Sequence, residues 1–176
     1  SRTHFGVYEP SVTQLFPEGH VVDLHPWEVN EVPVLLGAAL ATGTPIVALH
    51  LTRPAITVPD REALGLPSHF EAARGAYTLR DYRPGAPAGG CIVVQGTITT
   101  ANLVKILPEI ERRGLNVKIV AALSPQLFAR QPAAYRESVL GPADRIDAMG
   151  ITNRSRDSIR RWTANDAGMD YTLAAD

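Results

Sequence analysis

The first third of the chain carries two short apolar runs on either side of a longer amphipathic segment. The runs HVVDL (20–24) and PIVALHLT (45–52) predict two buried strands. Between them, residues 26–43 place apolar side chains three and four positions apart, which predicts a helix ending at Gly43. Because Pro33 lies inside this pattern, the helix either holds it in the first turn or begins later. The predicted buried face consists of Val32, Leu35, Leu36, Ala39 and Leu40. Together these elements predict a βαβ unit with a parallel strand pair.

The middle of the chain has a different composition. Residues 54–90 are rich in proline and glycine, which break regular structure. This density predicts an interdomain linker over residues 58–89, within which AYTLRDY (76–82) could form one strand.

The second half returns to alternating strand and helix patterns. Strands are predicted at CIVVQG (91–96), NVKIVAAL (116–123) and DRIDAMG (144–150). Helices are predicted at 99–114, 124–131, 132–140 and 155–162. In the first of these helices, Thr99 or Thr100 is the expected N-cap and Pro108 is expected to cause a kink. The alternation predicts an α/β fold, specifically a Rossmann-like three-layer domain with a mostly parallel sheet.

Composition narrows the functional classes. Seventeen basic and eighteen acidic residues nearly cancel, so no basic surface for nucleic acid or for a membrane is expected. No apolar run is long enough to span a bilayer, and no signal peptide is apparent. The single cysteine, Cys91, begins an apolar run, which predicts a buried, unreactive thiol and fits a reducing, cytoplasmic location.

Arg53 is the first residue whose position suggests chemistry. It follows the predicted strand 45–52, and ligands of open α/β sheets bind at the carboxyl ends of strands. A guanidinium group binds phosphate or carboxylate through paired hydrogen bonds. A solvated charge at the end of a strand is the alternative interpretation.

Other clusters give weaker signals. His20, Asp23, His25 and Glu28 lie close together in sequence, but their spacing fits no zinc motif, so no metal site is predicted. The segment GTITTAN (96–102) joins a strand to a helix and could bind an anion, although it matches no phosphate-loop motif. His50 is expected to be a structural histidine. The role of His4 is open from its sequence context alone.

Several phrases resemble the transketolase family. LHLTRPAI (49–56) resembles the end of the family's pyrimidine-binding domain, and THFGVYEP (3–10) resembles its active-site segment. The stretch from Gly89 to Leu140 resembles the start of the family's C-terminal domain, where AAYRESVLGP (133–142) is the most specific phrase. The resemblance covers residues 3–148 and fades beyond them.

The resemblance implies a domain division. Residues 1–57 would be the C-terminal part of a pyrimidine-binding domain, 58–89 the linker, and 90–176 the C-terminal domain. The chain is thus expected to be a piece of a longer, thiamine-diphosphate-dependent transferase that moves a two-carbon ketol unit between phosphosugars. A homodimer of the complete enzyme is also implied.

The resemblance also assigns roles to two residues. Arg53 matches the arginine that contacts the substrate phosphate, and His4 matches a histidine beside the cofactor and the substrate. The family's cofactor glutamate and its diphosphate–magnesium motif are expected outside this chain, so the chain alone is expected to bind neither thiamine diphosphate nor Mg²⁺ and to be inactive. Pro54 stands where the family usually has glutamine.

Alternative functions stay open at this point. The complete protein could be a 2-oxo acid dehydrogenase beta subunit or a deoxyxylulose phosphate synthase, which belong to the same superfamily. The chain could also be a non-catalytic α/β module that binds an anion at Gly96–Thr100 or serves in assembly.

Overall fold

The computed structural model describes residues 9–53 and 55–175, with side chains from residue 12 onward. Within these residues the strands form two sheets, one of two strands and one of four. The larger sheet is buried on both faces, which gives the three-layer α/β arrangement expected from the sequence.

The smaller sheet contains the predicted βαβ unit. Strand β1 (Val21–Leu24) pairs in parallel with β2 (Ile46–Leu49), and helix α1 (Glu31–Leu40) connects them. The helix begins at Glu31, later than predicted, so Pro33 falls in its first turn, where the missing N–H costs nothing. A 3-10 helix (Glu9–Leu15) precedes this unit.

Two expectations about burial in this unit are wrong. Ile46 is 41% exposed and the other residues of β2 are only half-buried. Both strands are edges of this sheet, but β1 also packs against the helix at residues 125–129 and is buried throughout. Leu40, predicted on the buried face of α1, is 66% exposed. Of the five predicted residues, only Leu35 and Ala39 are fully buried, so a narrower stripe of α1 faces the core than the hydrophobic pattern predicts.

The larger sheet has the order β3–β5–β4–β6. Strand β4 (Cys91–Gln95) lies between β5 (Lys118–Ala122) and β6 (Ala148–Thr152) and pairs with both in parallel. Strand β5 is buried at every position and β4 at every position except Ile92, which explains why both have nearly continuous apolar sequences rather than alternating patterns. Strand β6 begins four residues later than predicted, because helix α6 (Pro142–Ile146) occupies the start of that segment.

The range predicted as a linker contributes a strand to this sheet. After a 3-10 helix (His69–Arg74), strand β3 (Ala76–Arg80) pairs antiparallel with β5. Gly75 joins the two elements with φ of +83°, in the left-handed region that glycine tolerates. The domain boundaries themselves stay a prediction.

The helix predicted over 99–114 is divided into two. Helix α2 (Thr97–Lys105) ends at Ile106, and α3 (Leu107–Arg112) begins with Pro108 in its first turn. A proline is well tolerated at a helix start but not within one, so the expected kink becomes a break. The predicted threonine caps are also wrong: Gly96 is the N-cap residue and makes no side-chain cap bond.

The remaining helices cover the second face of the larger sheet. Helix α4 (Pro125–Ala129) is capped by the Ser124 side chain, and α5 (Ala133–Leu140) follows it. A 3-10 helix (Arg156–Ile159) and helix α7 (Asp166–Asp170) end the described fold. Among the described helices, none combines the length and apolar character that a membrane span requires.

Candidate functional site

Two histidines meet where the strands of the smaller sheet end. His25 follows β1 and His50 follows β2, and the parallel register aligns Leu24 with Leu49. The backbone N–H of His50 donates to the Leu24 carbonyl oxygen over 2.9 Å. As a result, the two imidazole rings stack with their centroids 4.4 Å apart and their planes 6° from parallel. The carboxyl edge of this sheet therefore carries a histidine pair.

A buried carboxylate completes this cluster. Asp23 Oδ1 lies 3.0 Å from His50 Nε2, and the amide Nε2 of Gln126 donates to Asp23 Oδ2 over 3.2 Å. The Asp23 backbone N–H donates in turn to Gln126 Oε1 over 3.1 Å. Burial by itself would raise the pKa of Asp23, but the hydrogen bonds from His50, Thr13 and Gln126 hold that pKa below its usual value. Asp23 is therefore an ionised carboxylate at neutral pH.

His25 is a neutral imidazole in this setting. Its side chain is buried, and within the described part of the chain its Nδ1 has no hydrogen-bond partner. Burial, followed by the electrostatic effect of His50, lowers the pKa of His25 well below its usual value, although Asp23 acts in the opposite direction. The backbone N–H of His25 donates to the Leu123 carbonyl oxygen over 2.7 Å, which fixes this residue against the end of β5.

The sequence cluster from His20 to Glu28 separates in the fold. His20 lies exposed before β1, at the opposite end of that strand from His25. Glu28 is buried and pairs with Arg61 at 3.0 Å. Asp23 and His25 stay together, and the fold adds His50 to them. The available signal was that His25 directly follows the first predicted strand and His50 lies near the end of the second, and that the two strands were predicted to pair in parallel.

Of the two residues assigned by resemblance, the structure describes Arg53 and does not describe His4. Arg53 is exposed, three residues beyond His50 on the carboxyl side of β2. Within the described part of the chain, no ion pair involves its guanidinium. His4 lies outside the described residues. The roles of both residues stay predictions.

The start of α2 is packed against other parts of the protein. Thr97 Oγ1 donates to the Pro26 carbonyl oxygen over 3.2 Å. Thr99 and Thr100 donate to main-chain carbonyl oxygens of Gln95 and Gly96, over 2.5 and 2.7 Å. Since these hydroxyl groups are already engaged, an anion at Gly96–Thr100 would have only backbone N–H groups of the helix start as donors, and that alternative stays a prediction.

Arg61 organises a second buried polar cluster beside α1. Its guanidinium pairs with Glu28 at 3.0 Å and with Glu31 at 2.8 Å, and its Nη1 donates to the Tyr77 hydroxyl over 3.1 Å. The Tyr77 hydroxyl donates to Glu31 over 2.6 Å and accepts from the indole of Trp27 over 2.7 Å. Burial raises the pKa of Glu31 to about 7 despite these partners. Every polar atom named here has a partner within the protein, which is the arrangement of a structural network.

Two further features lie away from the histidine pair. Cys91 is buried as predicted, and burial followed by the nearby Asp144 raises the pKa of its thiol to about 12.

A cleft of about 650 Å³ lies beside α4 and α5, with Phe128 and Trp162 in its wall and arginines at 136, 145 and 161 around it. Neither Arg53 nor the histidine pair lines this cleft, so its size alone does not make it the site.

Comparison with known proteins identifies relatives of one kind. No family model matches the chain. Transketolase 1 of Pasteurella multocida is 30% identical over 138 residues, which is 78% of this chain and 20% of that protein. A transketolase of Cereibacter sphaeroides is 31% identical over 139 residues, covering 78% of this chain and 18% of the relative. The chain thus spans a fifth or less of the length of these curated relatives.

Solved structures show the same fold. A transketolase from Pichia stipitis in complex with sedoheptulose-7-phosphate matches with a TM-score of 0.68 and 23% identity, covering 87% of this chain and 21% of that one. The transketolase of Leishmania mexicana matches with a TM-score of 0.66 and 20% identity, over 98% of this chain and 22% of that one. Taken with the sequence relatives, these matches confirm the resemblance: the chain belongs to the transketolase family and corresponds to a segment of its longer members.

Proposed function

We propose that this chain is part of a transketolase-like transferase that moves a two-carbon ketol unit between phosphosugars. The observation that carries the proposal is the position of Arg53, whose exposed guanidinium follows the carboxyl end of β2 in a chain related to transketolases. A sugar phosphate is a dianion, and a guanidinium group can donate to two of its oxygens at once. His4 would line the same substrate channel and exchange protons with a substrate hydroxyl.

The cofactor would be held by other parts of the complete enzyme. Thiamine diphosphate would supply the carbanion chemistry of the transfer. Mg²⁺ beside a diphosphate takes oxygen ligands, whereas the groups gathered at the carboxyl edge here are two imidazoles and one carboxylate. These residues do not fit that ion, and no step of the transfer is assigned to the cofactor within this chain. Calorimetry of the chain alone with thiamine diphosphate and Mg²⁺ should give no binding heat.

The phosphate role is tested by substituting Arg53 in the complete enzyme, in which this chain acts with the cofactor-binding region. Loss of a charge-assisted phosphate contact costs about 1.5–3 kcal/mol, or roughly 10- to 150-fold in kcat/KM. Arg53→Ala should show this loss with a ketose phosphate, mainly through KM, and no loss with a ketose that lacks phosphate. Arg53→Lys is the matched control and should recover part of the affinity, since it keeps the charge without the paired donors.

Two results would contradict the proposal. An unchanged KM for the phosphosugar in Arg53→Ala would remove the phosphate role from this residue. Turnover of 2-oxo acids as acyl donors, without activity on ketose phosphates, would place the complete protein with the 2-oxo acid dehydrogenases instead. The relatives named as transketolases favour ketol transfer.

A further inference from the structure

We propose that Asp23, His25 and His50 bind a divalent transition-metal ion of the Zn²⁺ type. The proposal goes beyond the ketol-transfer function and does not depend on it. Each of the three residues offers one ligand atom, and these atoms all lie within 4.8 Å of one another. Two imidazoles and one carboxylate form a donor set that suits Zn²⁺ and related ions and leaves a coordination position open.

The distances are close to those that a metal centre needs. Two ligand atoms on a tetrahedral ion at about 2.0–2.1 Å are about 3.3 Å apart. Asp23 Oδ1 and His50 Nε2 are 3.0 Å apart, so a small outward movement admits an ion between them. The ring of His25 is stacked on that of His50, and one of its nitrogens lies within 4.8 Å of the other two ligand atoms, so His25 must turn out of the stack to reach the same ion.

His25 supplies the observation that points to a ligand. His25 is only 5% exposed, yet its Nδ1 has no hydrogen-bond partner among the residues that the structure describes. Leaving a buried polar atom unpaired costs free energy, so such atoms in native proteins call for a specific explanation. Coordination to a metal ion would satisfy a histidine nitrogen in this place. A purely structural histidine would be expected to have both ring nitrogens paired or open to water.

The surroundings of the carboxylate fit a metal centre. Gln126 donates to Asp23 Oδ2, which leaves Oδ1 directed at His50 and holds the carboxylate in one orientation. Ligating carboxylates and histidines are commonly oriented in this way by hydrogen bonds from residues behind them. A cavity of about 270 Å³ includes Gln126, the residue that orients Asp23, in its wall.

The test is a metal titration of the whole chain after treatment with a chelator. Calorimetry with Zn²⁺ should show one ion bound per chain. Co²⁺ should give the intense visible absorption of a nitrogen-ligated ion of low coordination number. Asp23→Asn and His50→Gln should each weaken Zn²⁺ binding by at least about 100-fold. Loss of a residue that only hydrogen-bonds to a ligand already weakens metal binding by up to about 100-fold, and loss of the ligand itself should cost at least as much. Zn²⁺ should also raise the melting temperature of the unsubstituted chain and not that of His50→Gln.

His20→Gln is the matched control. It removes a histidine that is exposed and lies at the other end of β1, so Zn²⁺ affinity should not change. Absence of Zn²⁺ binding by the unsubstituted chain, or equal affinity in the His50→Gln and His20→Gln variants, would overturn the proposal. Should either ligand variant fail to fold, the Co²⁺ spectrum of the unsubstituted chain decides: the spectrum of the hydrated ion alone refutes the site.

Discussion

Replacing Arg61 tests how much the buried ion pairs beside α1 contribute to the free energy of unfolding. Its side chain is 10% exposed, and it is paired with two carboxylates, Glu28 and Glu31, whose side chains are fully buried. Replacement by methionine keeps most of the apolar stem and removes the charge together with its hydrogen bonds. Two buried acidic groups then lose the cation that compensates them, which is more costly than loss of a surface ion pair.

The expected loss is large relative to the stability of a protein of this size. Removing one partner of a buried ion pair costs about 3–5 kcal/mol, and domains are typically stable by about 5–15 kcal/mol. Arg61→Met should therefore lower the free energy of unfolding by about 3–5 kcal/mol at pH 8. Arg160→Met is the matched control: Arg160 pairs with Asp157 at the surface, where the two side chains are 62% and 67% exposed, and its loss should cost less than about 1 kcal/mol.

The pH dependence identifies the cause of the loss. The pKa of Glu31 is about 7 in the folded chain and near 4.5 when unfolded, so its raised pKa favours folding at low pH and this contribution disappears as the pH rises through 7. Loss of Arg61 raises the pKa of Glu31 further. The deficit of Arg61→Met should therefore be largest above pH 7 and should shrink toward pH 5, where Glu31 binds a proton and needs no cation.

Urea unfolding followed by circular dichroism at several pH values measures both effects. A loss below 1 kcal/mol at pH 8, or a loss that grows on acidification, would refute the reasoning. The double variant Arg61→Met/Glu31→Gln should recover part of the stability, because it removes one of the two carboxylates that Arg61→Met leaves without its cation.

Three smaller changes test other parts of the fold. Gly75→Ala should destabilise the chain by roughly 2–5 kcal/mol in urea unfolding, because φ is +83° and the new Cβ would lie 2.5 Å from the Ser124 carbonyl oxygen. Gly85 has a similar φ but open space around it, so Gly85→Ala should cost only about 1 kcal/mol, and equal losses in the two variants would contradict this account. Ser124→Ala removes the side-chain acceptor for the N–H of Leu127 at the start of α4 and should cost about 1 kcal/mol, whereas no change would show that this cap contributes nothing. Cys91 should resist a disulfide reagent in the native chain and react in urea, because its thiol is buried with a pKa raised to about 12; rapid labelling of the native chain would contradict this.

Local sequence signals identified most of the elements of this fold. The apolar runs gave β1, β4 and β5 with small errors at their ends, and Gly43 and Gly114 terminate helical segments with positive φ as expected. Each of these features is set by a few residues that are consecutive in the chain: a strand buried on both faces is a run of apolar residues, and a glycine is free to adopt the left-handed conformation that ends a helix. The family resemblance likewise rests on contiguous phrases.

Which side chains are buried, and which polar residues pair with each other, depends on contacts between segments that are distant in sequence. Leu40 has the same spacing as Leu36 in the hydrophobic pattern, but only the packing around α1 decides which of them meets the core. Arg61 comes from a proline-rich stretch read as a linker, and its partners lie about thirty residues earlier, on and beside α1. A sequence does not distinguish a buried arginine from a solvated one, because the difference lies in the residues that surround it in the fold.

The candidate metal cluster shows the same division. The sequence by itself determined that Asp23 and His25 lie close together at the end of one predicted strand and that His50 belongs to a second strand expected to pair with it. Only the tertiary structure decided that His50, rather than His20 or Glu28, joins them, because parallel pairing of β1 with β2 aligns the ends of the two strands. Residues distant in sequence become neighbours through strand register, and register is set by packing of the whole sheet rather than by any short segment.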